Sequence, residues 1–320
     1  MAVPQLGYLG LCENPTAEAG RALIRQFVLV READRMGYDD IWLGEHHGDA
    51  VWPSAGVLGL LGHLAGVTSK ARIGSMVLQP GLRDARQLAE ELATIDLLSK
   101  GRLELGVASG AVFAPGSGAA GIEAARARHR LLDTLDTLQA AWQARTDGAA
   151  AGEAPVPQPD RPLPIWVAAD DPYTLDAAAA RGWGLMAAAT HTLERVRRAC
   201  SRHAAVAGRP PPLTLARFAC TAATREEAVA IAEPYFRSLA ERARLAGWGA
   251  DRGRSIVRDV DALIAESLVG SHAEVAAQFS AIGRDWGASR IAIVPTSAQF
   301  DTHKHILANF VDEVRPLFDD

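Results

Sequence analysis

The 320-residue chain is poor in cysteine, carries no excess of positive charge and contains no long apolar run. Cys12, Cys200 and Cys220 are odd in number and widely spaced, which argues against a disulfide framework or a zinc site and for reduced, cytosolic thiols packed as small hydrophobes. The formal net charge of -5 excludes a general nucleic-acid binder, which needs a basic face to neutralise phosphates. No window approaches the ~20 apolar residues of a membrane-spanning helix, and the N-terminus lacks a basic region followed by an apolar stretch, so a cytoplasmic protein without membrane contact is expected. Also missing is a G-x-G-x-x-G after the first strand, which removes the main support for a doubly wound dinucleotide-binding sheet.

What remains is an ordinary globular composition, 48% hydrophobic and 22% charged, arranged as short apolar runs alternating with longer helical stretches. Strands are expected at 5–11, 40–44, 72–78, 102–108, 165–169, 184–188, 213–219 and 291–294. Helices are expected at 16–36, 53–68, 86–99, 122–142, 174–181, 192–206, 225–245, 272–286 and 304–318, with a less regular segment around 251–261. Gly37 reads as the stop of the first helix. Eight strands separated by helices imply parallel pairing through right-handed crossovers and a single-domain (β/α)8 TIM barrel. Such barrels run to ~250 residues, so the surplus belongs to loop insertions at the C-terminal face and to an Ala/Gly/Pro-rich excursion at about 145–164.

Catalytic groups of such barrels sit where strands give way to loops, and Glu45-His46-His47 follows the second strand there. Side chains alternate across a strand, so the two imidazoles face different ways, and H-H is not the H-x-H that would put two ligands on one face. A metal site and a buried Glu45–His46 hydrogen-bonded pair are the alternatives to a proton-handling role, and His47 reads as a packing or supporting residue. Imidazole has an ordinary pKa near ~6.5 and can give and accept a proton at neutral pH.

Residues 37–47 (GYDDIWLGEHH), 71–74 (ARIG), 87–96 (QLAEELATID) and 98–107 (LSKGRLELGV), with Leu268-Val269-Gly270-Ser271 and Glu274-Val275-Ala276 further on, resemble the bacterial luciferase-like flavin-dependent monooxygenase family. The resemblance implies a barrel in which reduced FMN meets dioxygen to form a C4a-peroxide that oxidises a small organic substrate. Some relatives use a reduced deazaflavin for hydride transfer, and a barrel that has lost catalysis but binds flavin or a partner is the third possibility. A separate flavin reductase and a homodimer built on the early helices are also implied. His46 falls on the family's catalytic histidine, with Glu45 beside it. Ser75, Met76 and Val77 fall where the family approaches the flavin, with a cis peptide expected between Met76 and Val77. Ala108, Ser109, Ala169, Met186 and Ala188 complete the expected cofactor wall.

Asp170, Asp171 and Thr174 occupy the family's phosphate turn, at a helix N-terminus where free amides and the helix dipole favour anions. Asp171 reads as its N-cap and Pro172 as its first residue. Two carboxylates repel phosphate, Pro172 lacks an amide donor, and Ser109 stands where relatives often carry an arginine clamp, so weak or transient flavin binding is expected. Asp84-Ala85 replaces a common His-Pro. The Arg126, Arg128, His129 and Arg130 cluster reads as a solvated face in preference to a phosphate contact, and the Gly-rich loop Phe113–Gly118 as a substrate-facing lid without the lysine of a P-loop.

Overall fold

The computed structural model describes residues 3–14, 16, 18–110, 124–146, 162–245, 247 and 256–318. The Phe113–Gly118 loop and most of the Ala/Gly/Pro-rich excursion lie outside the described residues. In chain order the elements are β1 (Gln5–Gly10), α1 (Ala19–Met36), β2 (Asp40–Leu43), α2 (Val57–Val67), β3 (Arg72–Leu78), α3 (Ala85–Ser99), β4 (Leu103–Val107) and α4 (Ala124–Thr146). They continue as β5 (Ile165–Val167), α5 (Pro172–Ala180), β6 (Gly184–Ala187), α6 (Leu193–Ala207), β7 (Leu213–Ala222), α7 (Arg225–Leu245), α8 (Val260–Ala265), β8 (Leu268–Ser271), α9 (His272–Trp286), β9 (Arg290–Pro295) and α10 (Phe300–Asn309).

Strands β1 to β6 pair in sequence, β6 pairs with β7, β7 with β9 and β9 with β1, all in parallel. The sheet therefore closes as the eight-stranded (β/α)8 barrel that the alternation of elements predicted. Its eight barrel strands are the eight read from the sequence, with ends shifted by a few residues. The ninth strand was missed. β7 runs on past the barrel, and Ala219–Ala222 pairs with Leu268–Ser271, a four-residue run whose strand character depends on that distant partner. A second difference is the C-terminus, where one helix over 304–318 was expected. α10 instead passes into a π turn at Phe310–Val314 and a 3₁₀ turn at Arg315–Leu317, where Pro316 cannot donate to a continuing helix.

The barrel interior is packed by fitting large side chains against glycine. A Cβ on Gly74 would lie 2.5 Å from the Trp42 ring, and one on Gly184 would lie 2.5 Å from the Trp166 ring. Charge fills the rest of the floor. Glu104 pairs with Arg290 and, at 3.0 Å, with Arg72, and it accepts from Trp166 Nε1 at 2.7 Å. Asp40 accepts from the Trp42 indole, and burial pushes its carboxyl up to about 7 against the pull of Arg290. The three cysteines are free thiols. No helix among the described residues is long and apolar enough to cross a membrane.

Below the floor, Asp34 of α1 ties that helix to the start of β3. It accepts from Ser69 N (2.9 Å), Ser69 Oγ (3.2 Å), Lys70 N (3.0 Å) and Ala71 N (2.8 Å). Burial works to raise the carboxyl, but the donors of Ala71, Lys70 and Ser69 outweigh it and hold Asp34 below its ordinary 3.8. This stabilisation is complete above that ordinary value and is lost as pH falls through the lower folded one. Asp34→Ala is expected to cost about 3 kcal/mol in urea unfolding at neutral pH. The gap to wild type should narrow on acidification, and a pH-independent gap would refute the assignment.

Candidate active site

β2 ends at Leu43, and Gly44 to His47 leave it at the C-terminal mouth of the barrel. The two histidines take separate partners. Glu45 is buried, and its backbone N–H reaches Val77 O of β3 at 3.3 Å. Its Oε2 accepts from Gln79 N (2.9 Å) and Arg83 Nη1 (3.2 Å), while its Oε1 lies 2.9 Å from Arg83 Nη2 and also meets His47 Nε2. Glu45 is thus a clamp on the β3–α3 loop. The alternative in which it pairs with His46 is overturned, since its oxygens are committed to Gln79, Arg83 and His47.

His46 Nδ1 lies 3.1 Å from the Oγ of buried Ser54, and its ring sits 4.9 Å from the Trp52 ring. A Cβ on Gly44 would lie 2.8 Å from His46 Cε1 and 3.4 Å from the Met76 carbonyl oxygen, so only glycine lets the imidazole lie against the end of β3. The Met76–Val77 peptide there is cis. With Nδ1 engaged, Nε2 is the nitrogen left for a ligand. Burial, aided by His47 and Arg242 and opposed by Asp49, pushes His46 down to about 4. The ring is therefore neutral at pH 7, a proton acceptor or a neutral donor and not the half-protonated group its ordinary pKa implies.

The segment 53–56, expected to open the second helix, is not helical. Trp52 and Ser54 are spent instead on holding His46, and α2 starts at Val57. Neither residue was singled out from the sequence, because their partner lies across a turn. Ser75 is fully buried and its hydroxyl donates to Gly106 O at 2.8 Å. Gln79 follows on the same strand end, buried, with neither Nε2 nor Oε1 hydrogen-bonded and with Oε1 against Gly110.

The turn over 170–174, where the resemblance placed a phosphate, opens α5 across the mouth. Asp171 caps α5 by accepting from Thr174 N at 3.0 Å, with Pro172 in the first turn, as the sequence indicated. Both carboxylates that would repel an anion are paired, Asp170 with Arg195 Nη2 at 2.8 Å and Asp171 with Arg128 Nε at 3.5 Å. His129 Nδ1 meets Tyr173 OH at 2.9 Å. Arg128, half-buried, docks on this turn, which corrects its reading as part of a solvated face, while Arg126, His129 and Arg130 are exposed as that reading expected. Arg195 was missed. Its signal was available, since a cation in the first turn of a helix opposes the dipole and implies an acid nearby. Thr174 is buried with Oγ1 lacking a partner. Ala108, Ser109 and Ala169 are half-buried, Met186 is buried with its sulfur 2.8 Å from where a Gly106 Cβ would lie, and Ala188 is exposed after β6. Asp84, in place of histidine, caps α3 by accepting from Arg86 N and Gln87 N.

The His46 assignment has a direct check. In the cofactor-free protein the Cε1 proton of His46 should titrate with a midpoint of about 4, and one near 6.5 would refute a buried neutral ring. Because the unfolded chain takes this proton at its ordinary value, the contribution is complete above about pH 6.5 and declines as pH falls toward 4.

Comparison with known proteins agrees with this architecture. The family model for luciferase-like monooxygenase matches residues 6–290. The oxygenase component of a flavin-dependent trigonelline monooxygenase from Acinetobacter baylyi is 31% identical over 173 residues, covering 51% of this chain and 48% of the relative. An F420-dependent glucose-6-phosphate dehydrogenase from Kineococcus radiotolerans is 28% identical over 168 residues, covering 48% and 49%. The chain thus spans about half the length of these curated relatives. Among solved structures, the oxygenating constituent of 3,6-diketocamphane monooxygenase from Pseudomonas putida, in complex with FMN, superposes with a TM-score of 0.80 at 17% identity, covering 99% of both chains. That likeness is one of fold. With the family match running through nearly all of the barrel, the chain belongs to the luciferase-like monooxygenase family.

Proposed function

We propose that the protein is a flavin-dependent monooxygenase that takes reduced FMN from a separate reductase and uses dioxygen to oxidise a small organic substrate. The observation that carries this reading is the neutral His46 imidazole, held by Ser54 and Trp52 beside the end of β3, at a mouth that also carries unpartnered buried polar groups. Those groups fit a flavin. Thr174 and the first turn of α5 would hold its phosphate, with Asp170 and Asp171 neutralised by Arg195 and Arg128, and Gln79 would meet its polar edge. When bound, reduced FMN supplies two electrons, so that one dioxygen atom enters the substrate and the other leaves as water.

The residues have distinct tasks. His46 Nε2 exchanges the proton that this chemistry requires, and its neutral resting state lets it accept before it gives. Glu45, locked onto Arg83 and Gln79, positions the loop that carries His46 and does not touch the reacting atoms. Trp52, whose ring lies 4.9 Å from the imidazole, keeps water from it. A deazaflavin-dependent dehydrogenase is the second reading, favoured by Ser109 in place of the arginine clamp and by the F420-dependent relative. A homodimer through α1–α3 is supported by exposed Ile24, Val28 and Leu98. Leu98→Asp should then give a monomer by analytical ultracentrifugation, and an unchanged sedimentation profile would count against this face.

Anaerobic titration with reduced FMN and with reduced deazaflavin separates the readings. Micromolar binding of FMN, followed by substrate oxidation on mixing with dioxygen, is expected. His46→Ala should slow that oxidation by about 10²-fold. Binding of deazaflavin alone favours the dehydrogenase, and binding of neither overturns both.

A further inference from the structure

We propose that Arg242, reaching from α7 to the mouth beside His46, forms a substrate subsite for organic carboxylates; the proposal rests on the reading of that mouth as the site of oxidation. The Arg242 guanidinium carbon lies 4.6 Å from the centroid of the Trp52 ring, and the same ring lies 4.9 Å from the His46 ring. A single indole therefore contacts both the cation and the imidazole.

A guanidinium has a face and an edge, and stacking on an aromatic ring uses only the face. Two of the three guanidinium nitrogens of Arg242, Nε and Nη1, are buried without a hydrogen-bond partner. Buried donors left unpaired are costly, most of all on a charged group, and a guanidinium does not escape by losing its proton. Glu13, after β1, feels the charge of Arg242 but makes no hydrogen bond to its Nε or Nη1: Glu13 Oε1 accepts from Tyr235 OH at 2.6 Å, Oε2 is buried without a partner, and burial pushes this carboxyl up, toward the neutral acid. The surrounding wall is aromatic, with the Tyr235 ring 5.9 Å from that of Phe218 in β7. A cation with open donors beside aromatic rings recognises an anionic oxygen group on a flat or apolar body. Its closeness to His46 means that the carboxylate would anchor the molecule and leave its remainder at the imidazole.

Isothermal titration of the 320-residue protein with benzoate and with benzamide, its neutral counterpart, tests this with and without reduced FMN. Wild type should bind benzoate at least about tenfold more tightly than benzamide. Arg242→Gln should remove the preference and Arg242→Lys should keep part of it, with circular dichroism confirming the fold of both. Equal binding of the two probes, binding of neither, or a preference that survives in Arg242→Gln overturns the subsite. A benzoate preference in a protein that binds no flavin would overturn the oxidation reading and leave the carboxylate subsite standing. Flavin binding without that preference would do the reverse.

Discussion

Closure of the barrel around Trp42 and Trp166 is the constraint on which the rest of the molecule depends. Each indole occupies space that a neighbouring strand yields by carrying glycine, at Gly74 and Gly184. Their indole N–H groups fall to Asp40 and Glu104, whose charges are met by Arg72 and Arg290. Removing one member of such a buried set leaves a charge uncompensated, so the floor is held as a unit. Once it closes, the C-terminal ends of β2 to β6 converge, and with them every residue of the candidate site.

Electrostatic pairing then sorts the charged groups of the mouth into those that hold structure and those left for a ligand. Glu45 takes Arg83 and His47, while His46 is held by Ser54 through Nδ1 and kept neutral by burial. Asp170 and Asp171 take Arg195 and Arg128, which removes the repulsion that two adjacent carboxylates would offer to a phosphate. Among the buried polar groups left unpaired, those of Gln79, Thr174 and Arg242 lie where cofactor and substrate are proposed to meet. A folded protein seldom leaves buried polar groups unpaired without reason.

Local signals in the sequence proved legible where they rest on neighbours in the chain. The stop at Gly37, with φ of 87°, follows from a conformation glycine adopts freely, and the cap at Asp171 followed by Pro172 needs only four residues. The placement of Glu45-His46-His47 at a strand end was equally readable, because the apolar run before it is short and wholly buried. Illegible were the contacts made across the barrel. Nothing near His46 in the chain says that it would meet Ser54 while His47 meets Glu45, and the stretch carrying Ser54 reads as the first turn of a helix. The strand β8 was hidden for the same reason, since its four residues are extended only because β7 overruns the barrel.

The eight strands of the barrel, their parallel order and the position of the acid and two imidazoles were determined by the sequence alone, through hydrophobic periodicity and the geometry of short connections. The tertiary structure decided the charge states and the partners. Burial drives His46 down to about 4 and Asp40 up to about 7, and desolvation of this kind depends on every element packed around a group and on none of its sequence neighbours in particular.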